Sequence, residues 1–470
     1  MRARLLTLWD SFRSGFWFVP LLFVLVALAL GLGMPVADSR AGSWVVERAP
    51  WMATTTEAAR PTLSAIGGAM ITVTGVVFSI TVVTLSIASS QFGSRMLRNF
   101  MDDRVTQSAI GMFLATSAYC FLMMRSVRDA EGTMFTPHLS VALSMLLAMI
   151  SVGMLIFYIH HVALAIQAPQ VVASLAVDLD HSIERLFPEK IGDAPGDEQS
   201  EADAASQLDE LDENYAPLIS DREGYLQAVD AEGLIRTASD HELLIQLDIR
   251  PGAFVVCDVQ IARVWPAEKL TDEIAAKLNG TMIVGKLRTP RQDVQCAIDE
   301  IVEVAVRALS PGINAPFTAM TCIDRLGAAL GRLAGRKVPS PYRHDPGGQL
   351  RLVGQSVEFA DVLEASFGQI RQYGKSSVAV MSLLLRTLQV LPASVRRVED
   401  CRALAEQAER TIDAVQSAGH QQCDLQALQA AYDELNRLLA SRRQELMADD
   451  SPAGDDADGA MESASQPHSA

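Results

Sequence analysis

The sequence predicts an α-helical integral membrane domain with four transmembrane helices, followed by a soluble α+β region made of a small β module and then a helical bundle. Two features of the 470-residue chain support this prediction. Four long stretches without a charged side chain lie in its first third. Short β-type runs separated by turn residues follow from about residue 215, and amphipathic helical patterns occupy the rest.

The uncharged stretches cover residues 16–34, 62–90, 105–124 and 139–161. A helix rises about 1.5 Å per residue, so about 20 apolar residues cross a hydrocarbon core of roughly 30 Å. Arginines precede the first stretch, as they do in a signal peptide, but the stretch is long for that role and lacks a good cleavage site. We therefore predict four retained spans within residues 1–166, surrounded by the lipid bilayer.

The formal charge of −17 is concentrated in two segments. Residues 191–213 contain nine acids and residues 447–470 contain six, and neither segment has a lysine or arginine. Such segments bury too little apolar surface to offset the entropy lost on ordering. We predict an acidic flexible linker and a disordered acidic tail. The remaining chain is close to neutral, which argues against binding to nucleic acid.

The soluble region divides into segments with different sequence patterns. Residues 167–190 have the apolar spacing of an amphipathic helix that leaves the membrane. Residues 214–288 form a β-rich module, and residues 289–446 form a helical domain. The first helix of that domain is predicted to start with a capping box at residues 289–292, whose sequence is TPRQ.

Six short motifs form a specific pattern along the chain. The longest is SITVVTLSIASSQFG, and the others are GYLQ, RPGAFV, RTxxQD, RALSPGIN and QIRQYG, which start at residues 79, 224, 250, 288, 307 and 369. The pattern resembles a bacterial family of predicted membrane proteins, the domain of unknown function 2254. This resemblance implies the architecture above and no particular activity. The sequence departs from the family pattern at Ala315, where the family has an acid.

The β-rich module is similar, more loosely, to the barrel-sandwich modules of biotinyl and lipoyl carriers and of membrane-fusion adaptors. The similar segments are EGYLQAVD, from residue 223, and RPGAFVVCDVQIARV, from residue 250. A carrier needs a lysine at the tip of a hairpin between such strands, and no lysine lies between these two segments. The resemblance therefore implies an interaction scaffold.

The orientation follows from weak signals taken together. Arginines flank both sides of the spans almost equally, so the positive-inside rule hardly discriminates between them. An even number of spans places both termini on one side. Six scattered cysteines without a CxxC motif suit a reducing compartment. We expect a multi-pass protein of the bacterial inner (cytoplasmic) membrane with both termini in the cytoplasm.

Small and hydroxylated residues fall on one face of the second stretch, within an arc of about 60° at about 100° per residue. They are Gly68, Thr72, Gly75, Ser79, Ser86 and Ser90. Two interpretations remain open, namely close helix packing and a pore wall in which hydroxyls and backbone replace ion hydration. The ionisable side chains within the four stretches are His160 and His161, which argues against proton- or sodium-coupled transport.

A second group of polar residues lies in the predicted cytoplasmic region. Arg288, Arg291 and Asp293 surround the predicted helix start, and Asn314 lies in a loop rich in proline and glycine. The charged residues would bind an anion or a neighbouring subunit, or would form an ordinary solvated face. Asn314 would make an important polar contact or end a helix in a turn.

The sequence contains no nucleotide-binding loop, no recognisable Ser/His/Asp arrangement and no paired metal ligands. We therefore expect a protein that is not an enzyme and that uses no cofactor and no metal. The favoured hypothesis is a homo-oligomeric ion channel or pore lined by the second helix, with a cytoplasmic assembly and gating region. The alternatives are a membrane-anchored scaffold or sensor that recruits a cytoplasmic protein, and an uncoupled transporter of a small solute.

Overall fold

The computed structural model describes residues 16–48, 54–93, 103–130, 133–135, 137–187, 204–208, 211 and 214–449. The chain divides into two compact units, residues 1–171 and 172–470. Two predicted segments lie largely outside the described residues. They are the disordered tail, from residue 450 onward, and most of the acidic linker.

Four helices form the part of the first unit that the structure describes: α1 (Phe18–Arg48), α2 (Thr56–Phe92), α3 (Arg104–Met124) and α4 (His138–Ala165). Each is long and apolar enough to cross a membrane, judged by length and composition. Strands β1 (Arg128–Ala130) and β2 (Thr133–Phe135) pair antiparallel between α3 and α4. The prediction of four apolar helices at the start of the chain is confirmed.

Helix α3 is the centre of this unit. It packs against α1, α2 and α4, and 61% of its apolar stretch is buried, compared with 17–22% in the other three helices. The Asp103 side chain caps its start by accepting hydrogen bonds from the backbone amides of Val105 and Thr106, at 3.1 and 3.2 Å. An acid at this position also complements the helix dipole.

The fourth span and the amphipathic segment after it are two separate helices. Helix α4 ends at Ala165 and α5 (Ala168–Leu186) begins two residues beyond it. Pro169 lies in the first turn of α5, where its missing amide costs no hydrogen bond. The predicted amphipathic pattern is present, because Val172, Leu175, Leu179 and Ile183 are buried.

Two sheets form the start of the second unit. The strands are β3 (Ala216–Ile219), β4 (Gly224–Val229), β5 (Leu244–Leu247), β6 (Phe254–Val255), β7 (Gln260–Trp265), β8 (Met282–Gly285), β9 (Tyr342–His344) and β10 (Leu350–Val353). One sheet has the order β3-β7-β5-β10-β9 and the other has the order β6-β4-β8. Helices α6 (Ala231–Asp240) and α7 (Asp272–Thr281) add Leu234, Ala238, Ile274 and Leu278 to the same apolar core.

Six helices complete the second unit. They are α8 (Val294–Ala308), α9 (Pro316–Ala334), α10 (Phe359–Gly374), α11 (Val378–Val390), α12 (Val398–Gln416) and α13 (Gln422–Asp449). A single 3₁₀ turn, Leu391–Ala393, follows α11. The predicted order of a sheet region followed by a helical bundle is confirmed.

The sheet region differs from the expected barrel-sandwich module. Strands β9 and β10 come from the segment predicted to be helical, and β10 pairs in parallel with β5, so that Leu352 lies opposite Ile245. Two helices also interrupt the strand sequence. The sequence patterns missed these strands because runs of three and four residues are too short to show a period.

Part of the predicted flexible linker is ordered. Residues 204–208 are helical, and buried Ala204 and partly buried Leu208 pack with Leu350 and Val353 of β10. The apolar side chains of this otherwise acidic segment explain the difference, since they pack on a sheet that the sequence did not predict at this place.

Candidate functional site

All six residues of the predicted pore or packing face are exposed in the protomer. We call this exposed set the α2 strip: Gly68, Thr72, Gly75, Ser79, Ser86 and Ser90. A Cβ atom added at Gly68 or Gly75 would have no atom within 4 Å. The α2 strip therefore takes no part in packing within the first unit.

The opposite side of α2 packs against the other helices of the first unit. Leu63 and Val77 are fully buried there. Gly67 lies so close to α3 that an added Cβ would be 3.2 Å from the Cβ of Cys120, and the Ser117 hydroxyl donates to the Gly67 carbonyl at 2.9 Å. Adjacent glycines thus have different surroundings, with Gly67 at the contact between helices and Gly68 on the exposed side.

Two hydroxyl groups of the α2 strip form hydrogen bonds within their own helix. Thr72 donates to the Gly68 carbonyl at 3.1 Å, and Ser79 donates to the Gly75 carbonyl at 2.9 Å. Each of these hydroxyls therefore donates its hydrogen bond to a backbone oxygen one turn earlier, and its lone pairs remain available on the exposed side of the helix. Outward-facing lone pairs can accept a hydrogen bond or contact a cation.

Other hydroxyls join the helices inside the first unit. The Tyr158 hydroxyl lies 2.8 Å from the Thr81 hydroxyl, and the Thr116 and Ser151 hydroxyls are 3.1 Å apart. Tyr119 donates to the Ser140 carbonyl at 3.1 Å. Such bonds fix the rotation of α3 and α4 in an apolar interior, where dispersion forces alone discriminate weakly between rotations.

Sequence reasoning missed a buried acid in α1. Asp38 is 3% exposed, and its carboxylate accepts hydrogen bonds from the amides of Leu139 and Ser140 at 2.7 and 3.1 Å and from the Ser140 hydroxyl at 2.5 Å. It was missed because the first span was predicted to end at residue 34. The start of α4 gave a signal, since Pro137 precedes it and provides no side-chain cap.

The two adjacent histidines of α4 have different surroundings. His161 Nε2 lies 3.0 Å from Asp103 Oδ2, so the acid that caps α3 also contacts α4. His160 is exposed. The histidine pair therefore does not converge on one site, as expected for adjacent residues on a helix.

Arg288 and Asp293 of the predicted cytoplasmic site form an ion pair. Arg288 donates to Asp293 Oδ2 through Nε and Nη2 at 2.9 and 2.7 Å, and to Asp299 Oδ2 through Nη1 at 2.6 Å. Burial acts to lower the pKa of Arg288, but the two acids outweigh it and the pKa is raised. A Cβ added at Gly252, whose φ is +96°, would overlap with Asp293 Oδ2, so only glycine fits beside this pair.

The predicted capping box at residues 289–292 is not formed. Asp293 caps α8 instead, accepting a hydrogen bond from the Cys296 amide at 3.1 Å. Gln292 bonds through its side chain to both backbone groups of Val229 in β4, at 2.9 and 3.1 Å. The backbone of Val229, at the end of β4, thus binds the glutamine that the sequence pattern assigned to the start of the helix.

Arg291 and Asn314 do not join the other two residues in one site. Arg291 is exposed. Asn314 follows the far end of α8, about 22 Å from its start at 15 residues. It has a φ of +48°, and its amide donates to the Ser310 carbonyl at 2.9 Å. Asn314 therefore takes a left-handed conformation in the turn between α8, which ends at Ala308, and α9.

The described residues contain no group of three or more histidine, cysteine, aspartate or glutamate side chains that could hold a metal ion. The sites found are thus an exposed small-residue strip in the first unit and a charged cap in the second.

Comparison with known proteins identifies relatives along most of the chain. The profile of a family of predicted membrane proteins, DUF2254, matches residues 13–390. Uncharacterized proteins of Mycobacterium bovis and Mycobacterium tuberculosis are each 29% identical to the chain over 406 residues, which cover 85% of the chain and 75% of each relative. No solved structure matches the chain.

Proposed function

The chain belongs to the DUF2254 family of predicted membrane proteins, and on that premise we propose that it forms a homo-oligomeric channel or pore. In this proposal the α2 strip faces the axis of the assembly, and the second unit acts as a cytoplasmic assembly and gating region. The protein would act in the bacterial inner membrane, with both termini cytoplasmic, and would not be an enzyme.

The proposal is supported by the exposure of the whole α2 strip and by the large apolar side chains on either side of it. Large apolar side chains flank the strip on both sides of the helix and are also exposed, among them Ile71, Val76, Phe78 and Val83. The six residues of the α2 strip thus lie in one line between these large side chains. A line of small residues between large ones suits a surface that meets an identical neighbour or water.

The strip contains no charged group, so selection in such a pore would depend on hydroxyls and backbone oxygens. Conduction would then be passive, because no titratable group on the strip couples it to protons. Residues 62–90 of α2 contain no acid or base.

Ion flux from vesicles tests the proposal. Reconstituted wild-type protein should release ions, and Thr72→Leu and Ser79→Leu should reduce the flux, because each replaces an outward hydroxyl by a larger apolar group. Thr62→Leu is the matched control: its hydroxyl also bonds within α2, to the Ala58 carbonyl at 2.7 Å, but on another side of the helix. No flux from wild type, or equal loss in all three variants, would contradict the proposal.

Cross-linking tests the assembly itself. In a protein with Cys257 and Cys423 replaced by serine, Ser79→Cys should give a disulfide between copies in membranes, since the Cβ atoms of such a bond are about 3.5–4.5 Å apart. Ile80→Cys, also exposed but off the strip, should not. Cross-linking at both positions or at neither would remove the argument for an ordered contact through the strip.

A membrane-anchored scaffold or sensor is the second candidate. Phe317, in the first turn of α9, is 80% exposed, so its aromatic ring is available for contact with a partner. This function predicts that Phe317→Ser abolishes recovery of a specific cytoplasmic protein with the full-length chain. An uncoupled solute transporter would instead be identified by saturable, solute-specific uptake without ion current.

A further inference from the structure

A strongly basic cavity lies in the second unit between the end of α9, the turn after α11 and helix α13. Its volume is about 740 Å³, within the roughly 300–1,000 Å³ of small-molecule sites. Five basic side chains line it, and none of the described residues that line it is acidic. These side chains are Arg332, Arg336, Lys337, Arg396 and Arg442.

Two of the guanidinium groups are held in place by the backbone. Arg336 Nη1 donates to the Phe187 carbonyl at 2.6 Å, just beyond the end of α5. Arg442 donates to the Val395 carbonyl through Nε and Nη2, at 3.1 and 2.9 Å. Groups that are already ordered lose little conformational entropy when a ligand arrives, which favours binding.

The positive charge of the cavity exceeds the acids that pair with it. Arg332 forms an ion pair with Asp180, and Arg442 forms one with Glu445 at 2.9 Å. Lys337 and Arg396 are exposed, and neither has a hydrogen bond or ion pair with any described residue. Their charges add to the repulsion among the cations of the cavity, and a bound anion would relieve that repulsion.

Glycine also keeps one wall of the cavity open. Gly331, inside α9, lines the cavity, although glycine is unfavourable inside a helix. Packing does not require it, because an added Cβ would lie 3.7 Å from the nearest atom, Leu391 Cδ2, which is an ordinary contact. The absence of a side chain is thus explained by space in the cavity rather than by a crowded helix contact.

We propose that this cavity binds a ligand with two or more linked phosphate groups. Arginine presents planar pairs of N–H donors that match phosphate oxygens, and lysine adds a mobile point charge. Several fixed cations at the wall of one cavity fit a multiply charged anion better than a single carboxylate. Such a ligand is either a soluble diphosphate compound or the headgroup of a phospholipid that carries two phosphate groups.

Pyrophosphate binding to the full-length protein in zwitterionic detergent tests the chemistry by calorimetry. Lys337→Gln combined with Arg396→Gln removes two charges that hold no other part of the protein, so folding should be unaffected. We expect the affinity to fall on the order of tenfold. Lys286→Gln combined with Arg386→Gln is the matched control, because it removes the same charges from two exposed side chains that do not line the cavity.

The control pair should change the affinity by less than about twofold. The proposal is overturned if the two pairs weaken binding equally, since that would indicate attraction to the overall charge and not to a site. Gly331→Leu gives an independent readout: it should block the cavity and abolish binding while the thermal unfolding midpoint stays measurable and cooperative. Unchanged pyrophosphate affinity in a folded Gly331→Leu protein would also count against the cavity.

Two further arms identify the source of the phosphate. Binding to nanodiscs of phosphatidylcholine with cardiolipin, when pyrophosphate does not bind, would assign the site to a lipid headgroup; binding of pyrophosphate would assign it to a soluble compound. An additional measurement uses a variant in which the nine acids of residues 191–213 are replaced by their amides. The proposal is wrong for the native chain if the wild-type protein binds neither probe. If binding appears only in this variant, the proposal is also wrong, and the acids of residues 191–213 occupy the cavity in the native chain.

Discussion

Asp38 of α1 caps α4 through Ser140, a residue 102 positions further along the chain. The carboxylate accepts hydrogen bonds from both the backbone amide and the hydroxyl of Ser140. It thereby provides the negative charge that favours a helix start, which Pro137 cannot provide. One acid thus joins α1 and α4, the first and last of the four helices described for the first unit.

Replacing Asp38 should destabilise the first unit. Asp38→Ala leaves the amides of Leu139 and Ser140 buried without their acceptor, and we expect a loss of about 2–3 kcal/mol, measured by thermal unfolding in detergent. Asp38→Asn should cost less because its amide oxygen still accepts. Ser39→Ala is the control, since that hydroxyl is exposed and bonds only one turn away, to the Val36 carbonyl. Equal losses at positions 38 and 39 would refute the capping role.

Gly67 and Gly68 should respond differently to the same substitution. Gly67→Val would push a branched side chain into Cys120 and Phe121, where an added Cβ already lies 3.2–3.4 Å away, and should cost about 1–3 kcal/mol of stability. Gly68→Val meets no atom of the protomer and should leave its unfolding unchanged. Both place a β-branched residue in the same helix turn, so helix propensity cancels in the comparison. Equal destabilisation would place the α2 strip at a contact within the protomer.

Cysteine accessibility should report the orientation of the second unit. Cys257 and Cys423 are exposed, whereas Cys322 is buried, which raises its pKa to about 12 and keeps it as the unreactive thiol at neutral pH. If the second unit is cytoplasmic, a membrane-impermeant maleimide should label Cys257 and Cys423 only after the cells are opened.

The control for this labelling is Glu47→Cys in a protein that lacks both exposed cysteines. Glu47 is exposed and lies beyond the apolar stretch of α1. In the proposed orientation α1 leads out of the cytoplasm, so we expect Glu47 on the outer side of the membrane. It should therefore react in intact cells. Labelling of Cys257 and Cys423 in intact cells, with Glu47→Cys protected, would reverse the proposed orientation.

The turn between β9 and β10 should weaken in acid. The hydrogen bond from Arg351, aided by the Gln349 amide, lowers the pKa of Asp345 to about 2. A depressed carboxyl pKa contributes stability above its unfolded value of about 3.9, and this contribution disappears as the pH falls towards 2. Hydrogen exchange at the Gln349 amide, corrected for intrinsic rates, should therefore quicken over this range.

Asp345→Asn provides the comparison for the acid effect. It should exchange faster than wild type at neutral pH, because the charge that attracts Arg351 is gone, and the difference should vanish near pH 2. A difference between the two proteins that does not change with pH would show that the carboxylate charge does not stabilise the turn.

Local patterns predicted the elements that are long or strongly periodic. The four uncharged stretches correspond to α1–α4, and the residues of the α2 strip were identified on one face from their spacing alone. The same patterns failed where a partner far along the chain decided the outcome. Gln292 pairs with Val229 rather than capping α8, and Leu352 pairs with Ile245 in a sheet although it lies in the segment predicted to be a helical domain.

The basic cavity also had no local signature. Its cations come from the end of α9, the turn after α11 and the last helix, so their sequence spacing carries no motif. Only folding brings Arg332, Arg396 and Arg442 to one wall. The same applies to Asp38, whose partner is more than a hundred residues away.

The sequence by itself determined that four apolar helices precede a mixed sheet and helical region, because bilayer length and helical period act within one segment. Only the tertiary structure decided which side of α2 packs inside the protomer, which acid caps α4 and which strands share a sheet. Those outcomes depend on hydrogen bonds and steric fit between segments that are distant in sequence, and no pattern within a single segment specifies its partner.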